Sequence, residues 1–142
     1  MNQPFTDLYV EIQQFYATQV QYLDALRFEE FADTFTEDGV FGHVRGAPAA
    51  HGRAGIVAAL SEYQERRYGD DPTQRRHWFN MLKVMPQDDG SIVTSYYAVV
   101  LATKPGDPVA LPTPSCSVQD VLVRQDGRLL AQEREVSADH TL

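Results

Sequence analysis

Residues 22–41 read YLDALRFEEFADTFTEDGVF. The left end of this stretch closes an amphipathic helix. Phe5, Leu8, Tyr9, Ile12, Phe15, Tyr16, Val20, Leu23 and Leu26 recur every three or four residues, a helix of about five turns. Thr6 is placed to cap it, and Asp7 suits the positive end of its dipole. Phe28, Phe31 and Phe35 then fall on one side of a second, shorter helix. Gly39 breaks that pattern, and Val40-Phe41-Gly42-His43-Val44 reads as a short strand.

Downstream, Ile56, Leu60 and Tyr63 mark the apolar stripe of a third helix from about Gly52 to Tyr68. Gly69 ends it, and Asp70-Asp71-Pro72 is a loop. The remainder reads as β structure. Residues from about 76 to 85 form a strand, followed by the turn signal Asp89-Gly90 and the long run Ile92 to Thr103. A proline-rich loop separates this run from a last hairpin, Ser117–Val123 and Arg128–Val136, across Asp126-Gly127. Three helices followed by strands make an α+β fold, with the long helix laid on a bent antiparallel sheet. Where helices and a curved sheet diverge, a greasy hollow is expected.

A length of 142 residues fits a single domain. The net charge of −8 disfavours nucleic acid, because an acidic chain gains nothing from counterion release on phosphates. Arg66-Arg67 and Arg75-Arg76 are local exceptions, read as a solvated face or as an anion-binding rim. No apolar run is long enough to span a membrane, and the first residues lack the pattern of a signal peptide. The lone Cys116 cannot form an internal bridge. A cytoplasmic protein is the expectation. His43, His51, His77 and His140 lack zinc-site spacing, so no metal is expected, nor any other cofactor. His140 falls in a tail expected to be mobile.

The order of these elements resembles the nuclear-transport-factor-2-like superfamily, and within it the SnoaL-like branch. The residues that carry the resemblance are Tyr22 to Phe31, Phe35 to Phe41, His51-Gly52-Arg53-Ala54-Gly55-Ile56, Arg75-Arg76-His77-Trp78-Phe79-Asn80, and Asp120 to Arg128. The resemblance implies a cone in which three N-terminal helices pack on a strongly bent sheet around a pocket. It also implies a cofactor-free tailoring enzyme of aromatic polyketides: a cyclase, dehydratase or isomerase, similar to small proteins of benzoisochromanequinone pathways. The alternative is a non-catalytic scaffold or ligand-binding subunit resembling the small subunit of aromatic-ring dioxygenases. The superfold hosts both kinds of role.

Within that frame His77 is the first candidate for proton transfer, since similar sequences keep an arginine–histidine pair on this strand and imidazole is suited to work near neutral pH. His43, at the end of the first strand, is close to where ketosteroid isomerases place a carboxylate base. Asp24, near the end of the first helix, could orient a histidine. Each also has a plain structural reading as a residue satisfied by neighbouring backbone. The isomerase tyrosine has no counterpart here, its nearest position being Gln19, and the scytalone dehydratase aspartate falls near Gln21. Strand alternation sets His77, Phe79 and Met81 on one face, with Trp78 and Asn80 on the other. Tyr16, Gln21, Phe41, Trp78, Phe79, Met81 and Tyr97 are the candidate pocket lining for a small hydrophobic or aromatic substrate. Tyr96 and Tyr97, being adjacent, must point to opposite faces. A homodimer through the outer sheet face is expected.

Overall fold

The computed structural model describes residues 3–42 and 48–141. Along the chain run α1 (Phe5–Asp24), α2 (Phe28–Ala32), β1 (Phe35–Gly42), β2 (Ala50–His51) and α3 (Gly52–Arg67). Five further strands follow: β3 (Gln74–Pro86), β4 (Ile92–Thr103), β5 (Ala110–Pro112), β6 (Cys116–Gln125) and β7 (Arg128–Ala138). A 3-10 turn, Asp139–Thr141, closes the described chain.

Leu8, Ile12, Tyr16 and Gln19 are the buried stripe of α1. Pro4 stands at its N-cap with no side-chain cap, so Thr6 lies inside the first turn and does not cap it. The second helix stops at Ala32, and Phe35 begins β1 where a helical continuation was expected. Phe31, Phe35 and Phe41 close on one another with ring centroids 5.4, 5.9 and 5.9 Å apart. This aromatic contact joins α2 to β1. Gly52, at φ 74°, makes the turn into α3 that a side-chain-bearing residue resists. Arg53 Nε then donates to the Phe35 carbonyl at 2.9 Å, fastening α3 to β1.

The α+β class is borne out. The sheet is curled and unclosed, in the order β2-β1-β7-β6-β4-β3, with β5 added on β4. It is mixed rather than wholly antiparallel. β1 lies beside β7 and runs parallel to it. Strands so distant in the chain are not bound by the direction reversal that a tight hairpin imposes. The last hairpin turns through Asp126 and Gly127, both at positive φ, as the two-residue turn requires. β3 carries an irregularity between Asn80 and Lys83, with Met81 at φ 58°. The tail is tied down, since the Asp139 amide donates to the Ser115 carbonyl at 2.9 Å.

The apolar core lies between the helices and the sheet. Ile12, Phe31, Phe35, Ile56, Leu122 and Ala131 are fully buried in it. No helix among the described residues is long and apolar enough to cross a membrane.

Candidate active site: a histidine–aspartate pair above a buried ion pair

Asp24 is the last residue of α1, and His77 lies near the start of β3. The Asp24 carboxylate Oδ1 stands 2.6 Å from His77 Nδ1. The same carboxylate accepts the His77 backbone N–H, with its two oxygens 3.3 and 3.2 Å away. Gln74 Nε2 donates to the Asp24 carbonyl at 3.3 Å. The end of α1 is thus stitched to one short stretch of β3. Both side chains are largely sheltered, with 15% of His77 and 6% of Asp24 exposed. A carboxylate is an acceptor only, so it selects the imidazole tautomer with the proton on Nδ1. Nε2 then carries the lone pair, and it has no hydrogen-bond partner among the described residues. That is the arrangement of a base held in register by a second group.

His77 and Asp24 border a cavity of about 160 Å³, together with Leu23, Gln64, Asp71 and Arg75. A wider, open groove of about 440 Å³ at Lys104–Pro108 shares Pro72 and Gln74 with this cavity. The space beside His77 is small and bordered largely by polar residues. Elsewhere in the described interior, rings and an ion pair pack between α1 and the sheet.

That filling is a continuous polar network. Arg134 Nε and Nη2 donate to the two oxygens of Asp120 at 2.9 and 2.8 Å, and Nη2 also donates to Gln19 Oε1 at 2.6 Å. Tyr16 and Tyr96 donate their hydroxyls to Asp120 Oδ2 at 2.7 and 3.1 Å. Thr94 Oγ1 is 2.5 Å from the Tyr16 hydroxyl, and Gln19 Nε2 donates to Thr34 Oγ1 at 2.7 Å. The guanidinium lies 5.6 to 5.9 Å from the ring centres of Phe35, Tyr16, Phe79 and Tyr96. Burial raises the pKa of Tyr16 well above that of a free phenol, and the neighbouring Asp120 charge adds to it. Burial also raises Tyr96 well above the usual value, although Arg134 pulls against it. For Arg134, burial opposes the charge, but Asp120 more than compensates and its pKa rises. The network is a neutralised buried pair with most of its hydrogen-bonding capacity filled.

Residues 6–135 match the SnoaL-like domain family. The chain belongs to the SnoaL-like family. Solved structures agree. ActVI-ORFA from Streptomyces coelicolor is 44% identical, with 94% of this chain and 98% of that one covered and a TM-score of 0.89. Aln2 from a Streptomyces species is 37% identical, with 99% and 96% covered and a TM-score of 0.88. A protein of Catenulispora acidiphila, solved in complex with S-DNPA, is 45% identical, with 96% of each chain covered and a TM-score of 0.86. No curated protein matches the chain.

In this SnoaL-like chain the structure pairs His77 with Asp24 and, separately, Phe79 with Tyr16, but it does not gather the whole expected set. Phe79 lies on the inner side of β3, its ring 6.2 Å from Tyr16 and 4.7 Å from Tyr96. Phe41 is buried with Phe31 and Phe35 in the core. His43 lies outside the described residues. Gln21 is exposed, and Gln19, two residues earlier, is the buried glutamine. Trp78 and Tyr97 stand 62% and 65% exposed on the outer side of the sheet, so neither lines the site. Of the adjacent tyrosines, Tyr96 is the inward one. Met81, expected inside, is 65% exposed. The β3 irregularity at Met81 breaks the alternation and hands the inner position to Leu82. The sequence reading missed Asp120, Arg134 and Thr94. A signal existed: Asp120 shares strand parity with the apolar Val118 and Leu122, and it pairs with Arg134 across the hairpin. Opposite charges at inward positions mark a buried pair. Among the described residues no group of three or more His, Cys, Asp or Glu is placed to hold a metal ion.

Proposed function

We propose that this protein is a polyketide-tailoring enzyme that works by proton transfer, without a cofactor, on a small ring compound. One observation carries the reading: the 2.6 Å contact between Asp24 and His77 at the wall of a cavity. His77 Nε2 removes a proton from a carbon next to a carbonyl, and Asp24 holds the ring and stabilises the imidazolium that forms. Cyclisation, dehydration and isomerisation all begin with such a step. Tyr16 and Tyr96 already donate to Asp120 and do not border this cavity, so they are not free to serve the substrate's oxygen. Similarity to ActVI-ORFA and Aln2 supports a tailoring role.

S-DNPA, with which the Catenulispora acidiphila relative was solved, is the first probe. Incubated with the protein in heavy water, it should gain deuterium at a rate that collapses in His77→Ala, while that variant keeps the native circular dichroism spectrum. Unchanged uptake in the variant would remove His77 from the chemistry. Tight binding with no uptake even by the unaltered chain would favour the scaffold or ligand-binding reading.

The exposed Trp78, Met81 and Tyr97 form the apolar outer face of β3 and β4. Such a face suits a homodimer interface. Light scattering at micromolar concentration should give twice the chain mass, and Trp78→Glu should halve it.

A further inference from the structure

Removing a proton beside a carbonyl builds negative charge on the carbonyl oxygen, and that oxygen needs a donor. Most side-chain donors that border the His77 cavity are engaged elsewhere. His77 Nδ1 is turned to Asp24, and the Thr73 hydroxyl donates to Asp71 Oδ1 at 2.6 Å. Gln74 Nε2 donates to the Asp24 and Arg75 carbonyls at 3.3 and 2.9 Å. Gln64 and Arg75 remain.

These two touch. Arg75 Nη2 donates to Gln64 Oε1 at 2.6 Å, and the guanidinium lies 4.2 Å from the ring centre of Tyr68. A guanidinium has donors and no acceptor, so this contact decides which way the amide faces. The oxygen must meet Arg75, and the NH₂ is turned away from it. That NH₂ has no hydrogen-bond partner among the described residues. The backbone that carries it is fixed as well. The Gln64 carbonyl, near the end of α3, accepts the amides of Tyr68 and Gly69 at 2.9 and 3.1 Å. Were holding Arg75 the whole task of this side chain, glutamate would do it more strongly. Glutamine adds a neutral donor. The charge of Arg75 itself is set against Asp24 and Asp71, which border the same cavity.

We infer that the Gln64 NH₂ is the donor that holds the substrate's carbonyl oxygen, with Arg75 as the positioning residue that fixes the amide. This rests on reading the cavity as the site of proton transfer. As His77 Nε2 takes the proton, the C–H electron pair passes toward the oxygen and an enolate forms. Gln64 steadies it without giving up a proton of its own, and the imidazolium returns a proton to carbon. Base and donor come from different elements, β3 and α3, and both border one space of about 160 Å³.

Two variants isolate the donor. Gln64→Glu keeps the size and the contact with Arg75 but puts an acceptor where the NH₂ was. Gln64→Met removes the donor and adds no charge. Deuterium uptake into S-DNPA should slow by about 10² to 10³ in both, as loss of one oxyanion donor implies. In Gln64→Met the affinity for S-DNPA, read by calorimetry, should stay within about threefold, because the contact strengthens only as charge develops. A second measurement needs no turnover: the infrared carbonyl band of bound acetophenone, a one-ring ketone. The band should lie at lower frequency in the unaltered chain than in either variant. In Arg75→Met, where the amide can turn, it should fall between. Acetophenone that does not bind, or a band at the same frequency in the unaltered chain and Gln64→Met, would overturn the assignment; the second result would leave Arg75 as the donor. Uptake by Gln64→Met within about threefold of the unaltered chain would also overturn it. If the unaltered chain takes up no deuterium while the band still depends on Gln64, the proton-transfer reading falls and Gln64 stands as the group that holds a ligand's oxygen.

Discussion

Replacing Asp24 by asparagine tests the pair at its weakest joint. The carboxylate serves two donors at once, His77 Nδ1 at 2.6 Å and the His77 amide at 3.2 and 3.3 Å. Asparagine offers one oxygen and one NH₂ in the same space. If the oxygen turns to Nδ1, the NH₂ faces the backbone N–H and two donors meet. If the oxygen turns to the backbone, the NH₂ faces Nδ1 and forces the proton to Nε2, the nitrogen that must accept. Either way the negative charge that balances the imidazolium is gone. The expected loss is about 10² to 10⁴ in rate, or roughly 3–5 kcal/mol of barrier. Stability should fall by only about 1 kcal/mol, since one hydrogen bond of the two survives. Asp24→Ala is the poorer test, because it leaves a sheltered backbone N–H without a partner. The assays are deuterium uptake into S-DNPA, urea unfolding, and nitrogen NMR of the imidazole to read the tautomer. Uptake within about threefold of the unaltered chain would refute the argument that Asp24 sets the state of His77.

The raised pKa values of Tyr16 and Tyr96 predict alkaline sensitivity. Below the unfolded phenol value, near 10, both states hold the proton and the stability is fully present. Above it the unfolded chain releases protons that the folded chain keeps, so unfolding becomes easier by about 1.4 kcal/mol per pH unit for each tyrosine. Tyr16→Phe should remove one such contribution from the slope of stability against pH, measured by urea unfolding; an unchanged slope would place Tyr16 in a more open setting than its contacts indicate. Arg134→Met leaves Asp120 buried without its cation and should cost about 3–5 kcal/mol, with part of the loss recovered by adding Asp120→Asn. A loss below about 1 kcal/mol would show that the pair is not desolvated in solution.

Much of this architecture can be read in the chain because periodicity reports which face is buried. The stripe from Leu8 to Tyr16, the turns at Asp89-Gly90 and Asp126-Gly127, and the run Ile92–Thr103 all appear at their expected places. What the pattern could not give is anything set by contacts distant in sequence. That β1 would lie parallel to β7 depends on a pairing between strands near opposite ends of the chain. That Phe35 would begin a strand depends on packing against Phe31 and Phe41, since three phenylalanines at helical spacing fit a helix equally well. Met81 obeyed alternation until an irregularity in β3 removed it, and nothing in a single strand announces its partner's register. His77 and Asp24 could be named one by one because their chemistry is conspicuous. Their meeting is a tertiary fact, since one closes a helix and the other lies in a strand fifty-three residues on. Arg134 and Asp120 were legible only as a violation: charges at inward positions among Val118, Leu122 and Leu130.

That violation has a mechanical consequence for the pair above it. A buried ion pair seldom adds stability over a well-packed apolar core, so its value lies in what it specifies. The contacts of Leu8 and Ile12 with the sheet are apolar and non-directional, and they would tolerate a small slide or rotation of α1. The contacts of Tyr16 and Gln19 would not, because Tyr16 must reach Asp120 and Thr94 while Gln19 must reach Arg134 and Thr34. These two residues lie in the last turns of α1, with Asp24 only five residues beyond Gln19. Fixing the rotation of the helix at Gln19 fixes where its terminal carboxylate emerges, and the 2.6 Å contact with His77 leaves little room for error. The Arg134→Met variant should therefore lose rate of deuterium uptake into S-DNPA by more than its remaining folded fraction explains, with S-DNPA binding reduced only in proportion to that fraction. A rate that simply tracks the folded population would mean that the helix finds its register without the ion pair.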